Sequence, residues 1–432
     1  MLFSLIQRFK PRMGLPMVQV VRGMAAYGSA EIVGRVVRLA TTIVIARRLT
    51  PDIVGEAALV LTVFELVRVL ERVGTGQQIV IAPESGLAAV CNTVRRIYWG
   101  WTLLLLVGQL LVAGVLAFLF HCVEAGEMLA ALSLVFLFMA GGHVQYHLAM
   151  RAGKVGHLAR MNAMQVIVDQ CVTLGLMLVW PSPWAIVIPK ILAAPVWLAC
   201  SLRAHPWSPD PMAGLLPAGR ILRSSGSILL ADALTALRTQ GDNLIVAAML
   251  GTQMLGTYYF AFNAGLGIVT SLVSAFGTVV FPMMARADTG APRRAVLRRT
   301  GLLGLGLFLP LVAAQSVAAR FYVPVVFGAH WTQAAPLVGV LCLAGAGLAI
   351  GQLTTAWLRA NGQMETDAAN SMINCLVTLG GLACGALSGS LLWAAWGLVC
   401  ANLAATLIIA WRCLGGELMR RRAGQECAAA AF

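Results

Sequence analysis

Long apolar stretches alternate with short polar segments along nearly the whole chain. Each stretch has roughly the 20 residues that a helix needs to cross a bilayer. The pattern therefore predicts an all-α membrane protein with twelve transmembrane helices. Their predicted positions are 25–47, 57–81, 97–120, 128–150, 163–180, 184–202, 226–249, 256–284, 301–319, 334–358, 368–388 and 391–411.

Composition excludes the other broad classes of protein. Of the 432 residues, 59% are hydrophobic and only 11% are charged, and the mean hydropathy is +0.83. A soluble domain carries about 25% charged residues, which it needs to cover a surface that faces water. A disordered chain has a much lower apolar content. The remaining puzzle is a formal net charge of +14.

The distribution of the basic residues accounts for this charge. Twenty-two of the 31 lysines and arginines lie in the two terminal segments and in every second loop. The opposite loops hold only Arg47, Arg48 and Arg320. Because basic loops stay in the cytoplasm, we expect both termini on the cytoplasmic face. The excess charge then records topology, and no nucleic-acid partner is expected.

An internal repeat suggests how the helices are grouped. The segment Ile45–Gly55 resembles Val246–Gly256 at an offset of 201, and Met150–Met164 resembles Leu358–Met372 at an offset of 208. Six helices separate the copies, which predicts a 6+6 parallel repeat of two bundles around a central cavity near the membrane midplane. The predicted parts are a cytoplasmic amphipathic segment (1–24), a six-helix bundle (25–202), a cytoplasmic linker (203–223), a second six-helix bundle (224–411) and a cytoplasmic basic tail (412–432).

Charged residues inside the predicted spans are the main functional candidates. They concentrate on the first, second and seventh helices, at similar depth, and are Glu31, Arg35, Arg38, Glu65, Arg68, Glu71, Arg72, Asp232, Arg238 and Asp242. Charges at this depth face either a partner or a hydrated cavity. One interpretation is ion pairing along each helix, for example between Glu65 and Arg68. The other is a polar cavity whose arginines bind phosphate or carboxylate through their planar fork.

The remaining polar residues in the predicted spans give weaker evidence for a functional site. Counting from the predicted helix ends separates Asp169 from Lys190 by roughly 10 Å in depth, so a direct pair is not expected. His143 and His147 lie four residues apart and lack a third ligand, so we expect a polar lining rather than a metal site. The ten cysteines form no C-x-x-C spacing. The chain has no phosphate-binding G-x-x-x-x-G-K-[ST] loop, and no cofactor is expected.

Several segments, in order along the chain, resemble one family of membrane transporters. These are Ala46–Leu61, Gly241–Asn263, Val279–Arg286, Val323–Leu341 and Trp357–Gln363. They are similar to the Wzx-type flippases of lipid-linked oligosaccharides, within the multidrug/oligosaccharidyl-lipid/polysaccharide exporter superfamily. The resemblance implies two six-helix bundles around a central cavity, and no enzymatic activity.

The resemblance also implies a substrate and a set of site residues. The substrate is an undecaprenyl-diphosphate-linked glycan, flipped across the bacterial inner membrane for exopolysaccharide, capsule or O-antigen. The family pattern assigns substrate binding to Arg35, Arg38, Arg68, Arg72 and Arg238. Candidate ion-coupling carboxylates are Glu31, Asp232 and Asp242. Membrane lipid, a glycan polymerase and the export machinery are the implied partners. A multidrug exporter of the same superfamily and a membrane glycan polymerase or ligase are the alternatives.

Overall fold

The computed structural model describes residues 37–71, 75–119, 121–287 and 291–415. Within these ranges every regular element is a helix. The all-α expectation is therefore confirmed for the described part of the chain. Eight helices there are long and apolar enough to cross a membrane. The count of twelve spans and their 6+6 arrangement remain predictions.

The described residues of the first half of the chain form eight helices. They are α1 (described over 37–48), α2 (Pro51–Leu70), α3 (Thr75–Ile81), α4 (Leu87–Phe118), α5 (Val123–Leu132), α6 (Leu134–Arg151), α7 (Val155–Val179) and α8 (Trp184–Ala204). One predicted helix, 57–81, corresponds to the separate helices α2 and α3. Another, 97–120, is the embedded part of the longer α4, because backbone hydrogen bonding continues into polar turns that an apolar pattern does not register.

In the second half, seven α-helices lie within the ranges that the structure describes. They are α9 (Ala218–Leu250), α10 (Thr252–Ala261), α11 (Gly267–Arg286), α12 (Ala291–Tyr322), α13 (Ala335–Ala360), α14 (Met364–Ala386) and α15 (Leu391–Ala410). A π-helical turn, Phe262–Leu266, joins α10 to α11. The predicted span 256–284 is thus one helical path with a locally widened turn.

The described residues form two compact units. The first comprises residues 37–48 and 60–240, and the second comprises residues 49–59 and 241–415, apart from the undescribed positions. In the first unit Phe64 packs on Phe136 with ring centroids 5.8 Å apart. In the second unit Phe260 stacks on Trp331 at 3.9 Å. Close packing of this kind holds helices together where lipid removes most of the hydrophobic driving force.

The two sequence repeats meet directly in the second unit. Helix α2 begins at Pro51 and α10 begins at Thr252, which are equivalent positions at the offset of 201. A Cβ on Gly55 would lie 2.0 Å from the Thr252 carbonyl oxygen, and a Cβ on Gly256 would lie 1.9 Å from the Pro51 carbonyl oxygen. The two helices therefore cross with their backbones in contact. The contact is reciprocal, because each glycine faces the first carbonyl oxygen of the other helix.

Helices α6 and α13 end in similar caps, which are displaced by one residue from the sequence offset of 208. Gly153 and Gly362 follow these helices with φ angles of 69° and 75°. The Lys154 amide donates to the Ala149 carbonyl at 3.0 Å, and the Gln363 amide donates to the Leu358 carbonyl at 2.9 Å. Both helices thus end in the same glycine-dependent cap.

Candidate functional site

The predicted cationic residues of the first helix are only partly described. Glu31 and Arg35 lie outside the described residues. Arg38 lies on α1 with its side chain exposed. The Thr42 hydroxyl donates to the Arg38 carbonyl at 2.9 Å, so this threonine bonds to the helix backbone. The structure thus places the Arg38 side chain on the surface of α1.

On α2 the ion-pairing interpretation is confirmed for one pair. The Arg68 Nη1 atom lies 3.0 Å from the Glu65 Oε1 atom, one helical turn away. Both side chains stay about a third exposed, at 34% and 30%. A partly exposed pair of this kind gains at most about 1 kcal/mol where water reaches it. Arg72 lies outside the described residues.

The carboxylates and the arginine predicted on the seventh helix all fall on α9. The side chains of Asp232 and Arg238 lie outside the described part. Asp242 belongs to the second unit, where the Tyr258 hydroxyl donates to its Oδ2 atom at 2.8 Å and the Asn243 amide donates to Oδ1 at 2.9 Å. Since Tyr258 is fully buried, Asp242 is anchored to α10.

Asp169 and Lys190 form an ion pair, which corrects the sequence expectation. The Lys190 Nζ atom lies 3.6 Å from Asp169 Oδ2, and Gln170 Nε2 donates to the same oxygen at 2.9 Å. The expectation was wrong because it measured depth from predicted helix ends, and α7 in fact begins at Val155. Depth is better measured for both residues from the turn that joins α7 to α8. They then differ by about 6 Å in depth, which the lysine side chain spans.

Sequence reasoning missed a buried polar cluster in the first unit. It joins the end of α2 to helices α3, α4 and α6, and its members are Glu71, Thr75, Tyr98, His143 and His147. The two histidines are expected from the sequence to form a polar lining, but His143 is only 9% exposed. The four-residue spacing of the histidines was the one feature of the sequence that could have indicated this cluster. A single tyrosine in an apolar stretch, such as Tyr98, does not indicate a polar contact.

Two arginines predicted in cytoplasmic loops tie helix ends together. Arg151 donates to the carbonyls of Ile79, Val80 and Ala82 and pairs with Glu84 at 2.8 Å. In the second unit the buried Arg293 donates to Ala360 and Ala287. These side chains satisfy carbonyls that a helix terminus leaves unpaired.

An open cavity lies beside the start of α4. Its volume is about 650 Å³, and its lining includes Arg95, Arg96, Trp99 and Leu215. Asn92 Nδ2 donates to the Asp210 carbonyl at 2.6 Å and so holds the loop that forms the opposite wall. Within the described part of the chain, no group of three histidine, cysteine or acidic side chains is arranged to hold a metal ion.

The fold is that of a known class of membrane transporters. The inward-facing structure of a multidrug resistance MATE family transporter of the MOP superfamily matches with a TM-score of 0.70 at 15% identity, covering 93% of this chain and 99% of that chain. The inward closed conformation of the lipid II flippase MurJ matches with a TM-score of 0.72 at 11% identity, covering 89% and 87%. At these identities the likeness establishes the fold alone.

The family follows from the sequence. The family model described as "Polysaccharide biosynthesis protein" matches residues 44–336, and the chain belongs to this family. The succinoglycan biosynthesis transport protein ExoT of Rhizobium meliloti (strain 1021) is 24% identical over 379 residues, covering 87% of this chain and 76% of ExoT. The lipopolysaccharide biosynthesis protein WzxC of Escherichia coli (strain K12) is 27% identical over 143 residues, covering 32% and 29%.

These comparisons confirm the expected Wzx-type flippase family and its connection with polysaccharide biosynthesis. The family and the structural neighbours are transporters and flippases, and the chain is a multi-pass membrane protein.

Proposed function

We propose that this protein flips an undecaprenyl-diphosphate-linked oligosaccharide from the cytoplasmic to the outer leaflet of the bacterial inner membrane. The unit would serve the synthesis of an exopolysaccharide, a capsule or an O-antigen. The observation that carries the proposal is the family match over residues 44–336, together with a relative named for succinoglycan transport. No covalent chemistry is involved in the proposed step.

The proposed binding surface consists of the arginines on the first, second and seventh helices. They are Arg35, Arg38, Arg68, Arg72 and Arg238. Moving a diphosphate through a low-dielectric region requires compensating positive charge. Arg38 supports this role because it is exposed, and Arg68 supports it because its contact with Glu65 is solvent-accessible. Two oxygens of a phosphate can bind the guanidinium fork as the two oxygens of a carboxylate do.

The proposed transport cycle is alternating access by two six-helix bundles, 25–202 and 224–411, with a cytoplasmic linker at 203–223. In this cycle the diphosphate and sugars occupy the cavity between the bundles, while the lipid chain remains in the bilayer. Both terminal segments, 1–24 and 412–432, lie in the cytoplasm, as the basic loops require. Glu31, Asp232 and Asp242 are proposed to couple the cycle to an ion gradient. A glycan polymerase would receive the flipped unit.

The proposal is tested by complementation of a strain that lacks its own flippase. The wild-type gene should restore surface glycan, and Arg38→Ala should abolish it while the protein stays in the membrane. Arg48→Ala is the matched control, since Arg48 is also exposed on α1 but lies at its predicted outer end. Wild-type glycan in the Arg38→Ala strain would overturn the assignment of this residue. Failure of the wild-type gene to complement in a host with the matching sugar unit would overturn the function.

A multidrug exporter is the second candidate, because a MATE transporter matches over 93% of the chain. For that activity the carboxylates matter more than the arginines, since the substrates are cationic. Expression should then raise resistance to cationic compounds, and Asp242→Asn should abolish the gain while Arg68→Ala should not. The opposite order of effects favours the flippase. A membrane glycan polymerase or ligase would instead leave unpolymerised or unattached units exposed outside when the gene is deleted.

A further inference from the structure

The loop between α8 and α9 is held against the start of α4 by two neighbouring side chains. Asn92 Nδ2 donates to the Asp210 carbonyl at 2.6 Å and to the Gly214 carbonyl at 3.3 Å. The Thr93 hydroxyl, which is buried, accepts a hydrogen bond from the Leu216 amide at 2.8 Å. The cavity of about 650 Å³ between this loop and α4 is therefore a built feature of the first unit.

The apolar side chains of this loop are divided between the core of the first unit and the surface. Trp207 and Leu216 pack on a buried cluster that includes Val90 of α4. Met212 and Leu215 are 93% and 53% exposed, and Leu215 lines the cavity. Exposed apolar side chains beside a basic cavity, at the end of a membrane-crossing helix, suit the boundary between lipid headgroups and acyl chains. We therefore expect this loop to lie in the membrane interface.

Arg95 and Arg96 of α4 supply the charge of the cavity, and both side chains are exposed. Within the described part of the chain, neither forms a hydrogen bond or an ion pair. Asp210, the acidic residue of the loop, accepts a hydrogen bond from the Met212 amide at 2.9 Å through its Oδ1 atom, so its carboxylate caps its own loop. Unpaired guanidinium groups bind phosphate strongly, because the planar fork contacts two oxygens at once.

An apolar stripe continues from the cavity along α4, which is long and apolar enough to cross a membrane. Leu103 and Leu110 lie seven and fourteen residues beyond Arg96 and so on the same helical face. They are 50% and 43% exposed, and Val107 on that face is 51% exposed. Fourteen residues of helix rise about 21 Å, and the hydrocarbon of one leaflet is about 15 Å thick. An acyl chain can therefore lie along the stripe while its headgroup reaches the arginines.

We propose that the cavity beside α4 binds an anionic phospholipid, with the phosphodiester on Arg95 and Arg96 and the acyl chains along the apolar stripe. Trp99, which also lines the cavity, then lies at the level of the lipid glycerol, where tryptophan is enriched. Basic pockets at the cytoplasmic ends of membrane helices bind anionic headgroups in this manner. The bound lipid ties the loop between α8 and α9 to the bilayer. The inference does not depend on the proposed flippase function.

The proposed transport substrate also carries a lipid-linked phosphate ester, but the walls of the cavity favour the phospholipid. Besides the arginines, the polar lining residue is Asn92, whose amide nitrogen is already bonded to the loop. Pro209, Pro211 and Leu215 form apolar parts of the lining. Sugar hydroxyls would find few hydrogen-bond partners here. A glycerol phosphate needs only the guanidinium groups and an apolar wall.

Native mass spectrometry of the full chain, released from detergent, measures the binding of dioleoyl phosphatidylglycerol. We expect this lipid to bind more tightly than dioleoyl phosphatidylethanolamine. The double variant Arg95→Gln/Arg96→Gln should bind it at least about tenfold more weakly, since charge-assisted hydrogen bonds to phosphate are lost. Arg298→Gln/Arg299→Gln is the matched control, because these neighbouring arginines are also exposed near the start of a long helix but do not line the cavity. Equal weakening in both double variants, or no preference for the anionic lipid, would overturn the proposal.

Asn92→Ala separates a built site from general attraction between charges. It leaves the charge of the protein unchanged but releases the loop from α4 at Asp210 and Gly214. We expect phosphatidylglycerol binding to weaken about fivefold, because one wall of the cavity is no longer held in place. Unchanged binding would show that the arginines attract lipid only as surface charges and would overturn the cavity as its site. Where Asn92→Ala fails to fold, the double variant at the exposed arginines still gives the answer.

Competition distinguishes the phospholipid from the proposed transport substrate. We expect phosphatidylglycerol to stay bound when equimolar undecaprenyl diphosphate is added, and its displacement would overturn the phospholipid as the occupant. Soluble glycerol phosphate should not bind, because it lacks acyl chains to bury, and binding with equal affinity would overturn the role of the stripe. Surface glycan in the complementation strain tests the flippase function separately. Its failure leaves the lipid site intact, and loss of lipid binding leaves the function intact.

Discussion

Gly55 and Gly256 occupy equivalent positions in the two sequence repeats, and each faces the backbone of the other's helix. A Cβ on either residue would lie within 2.0 Å of a carbonyl oxygen that belongs to the first turn of the opposite helix. Those oxygens are on Pro51 and Thr252, which are themselves equivalent. The resemblance between the segments Ile45–Gly55 and Val246–Gly256 thus corresponds to one reciprocal helix crossing.

We expect Gly55→Ala to destabilise the protein by about 1–3 kcal/mol, because the two backbones must separate to admit a methyl group. Thermal unfolding in detergent, followed by tryptophan fluorescence, measures the change. Gly108→Ala is the control: Gly108 lies within α4 with nothing inside 4 Å of an added Cβ. That substitution should be neutral or stabilising by up to about 1 kcal/mol. Equal melting temperatures for Gly55→Ala and the wild type would contradict the contact.

Breaking the pair between Asp169 and Lys190 should cost more than removing it. The side chains are only 14% and 26% exposed, so Asp169→Asn or Lys190→Met leaves a poorly solvated charge. We expect each single variant to lose about 3 kcal/mol and the double variant to recover most of that loss. A double-mutant cycle by denaturation measures the coupling. Additive losses would show that the two side chains do not interact.

Arg68→Ala should lower glycan export about tenfold, since a charge-assisted hydrogen bond to phosphate is worth roughly 1.5–3 kcal/mol. Glu65→Gln frees the guanidinium from its ion pair and should preserve export. Surface glycan and the amount of protein in the membrane are measured together in the complementation strain. Loss of export in Glu65→Gln with full activity in Arg68→Ala would reverse the assigned roles.

Arg293 should be needed for stability and not for transport. It is 8% exposed and donates to backbone carbonyls at the ends of two helices. Arg293→Lys should fail to restore stability, because an ammonium group lacks the planar fork that reaches both acceptors. We expect a loss of about 2 kcal/mol in unfolding free energy. Arg299→Ala, an exposed position on the same helix, is the control and should melt as the wild type does.

Tyr258→Phe tests whether Asp242 is a coupling residue or an anchor. Removing the hydroxyl leaves a carboxylate oxygen without its donor and should cost about 1–3 kcal/mol of stability. If Asp242 couples transport to a gradient, this variant should also change the gradient dependence of flipping in proteoliposomes. A change in stability alone would restrict Asp242 to a structural role.

Much of the fold follows from the sequence because the bilayer is a demanding solvent. Apolar stretches such as Trp184–Ala204 and Leu391–Ala410 become helices since no other open structure satisfies their backbone in lipid. The predicted positions of these spans agree with the described helices to within a few residues. The repeat around Gly55 and Gly256 could also be detected in the sequence, because similar residue types recur at one offset.

Pairings between helices were not readable, since they depend on depth and rotation. Lys190 reaches Asp169 because α7 is longer than its apolar core. Arg293 contacts Ala360, 67 residues away in the sequence, and also Ala287, only six residues away. The sequence suggested Glu65 as a partner of Arg68 because one helix turn sets their separation. It could not indicate that Tyr98 would bring Glu71 and His143 together.

The sequence by itself determined the membrane class, the helical architecture of the described spans and the family, since each depends on local hydropathy or residue order. Only the tertiary structure decided which buried charges meet which partners. The physical reason is that an apolar stretch specifies a helix through its own backbone, whereas the contact between Tyr98 and His143 depends on how two helices rotate and slide against each other.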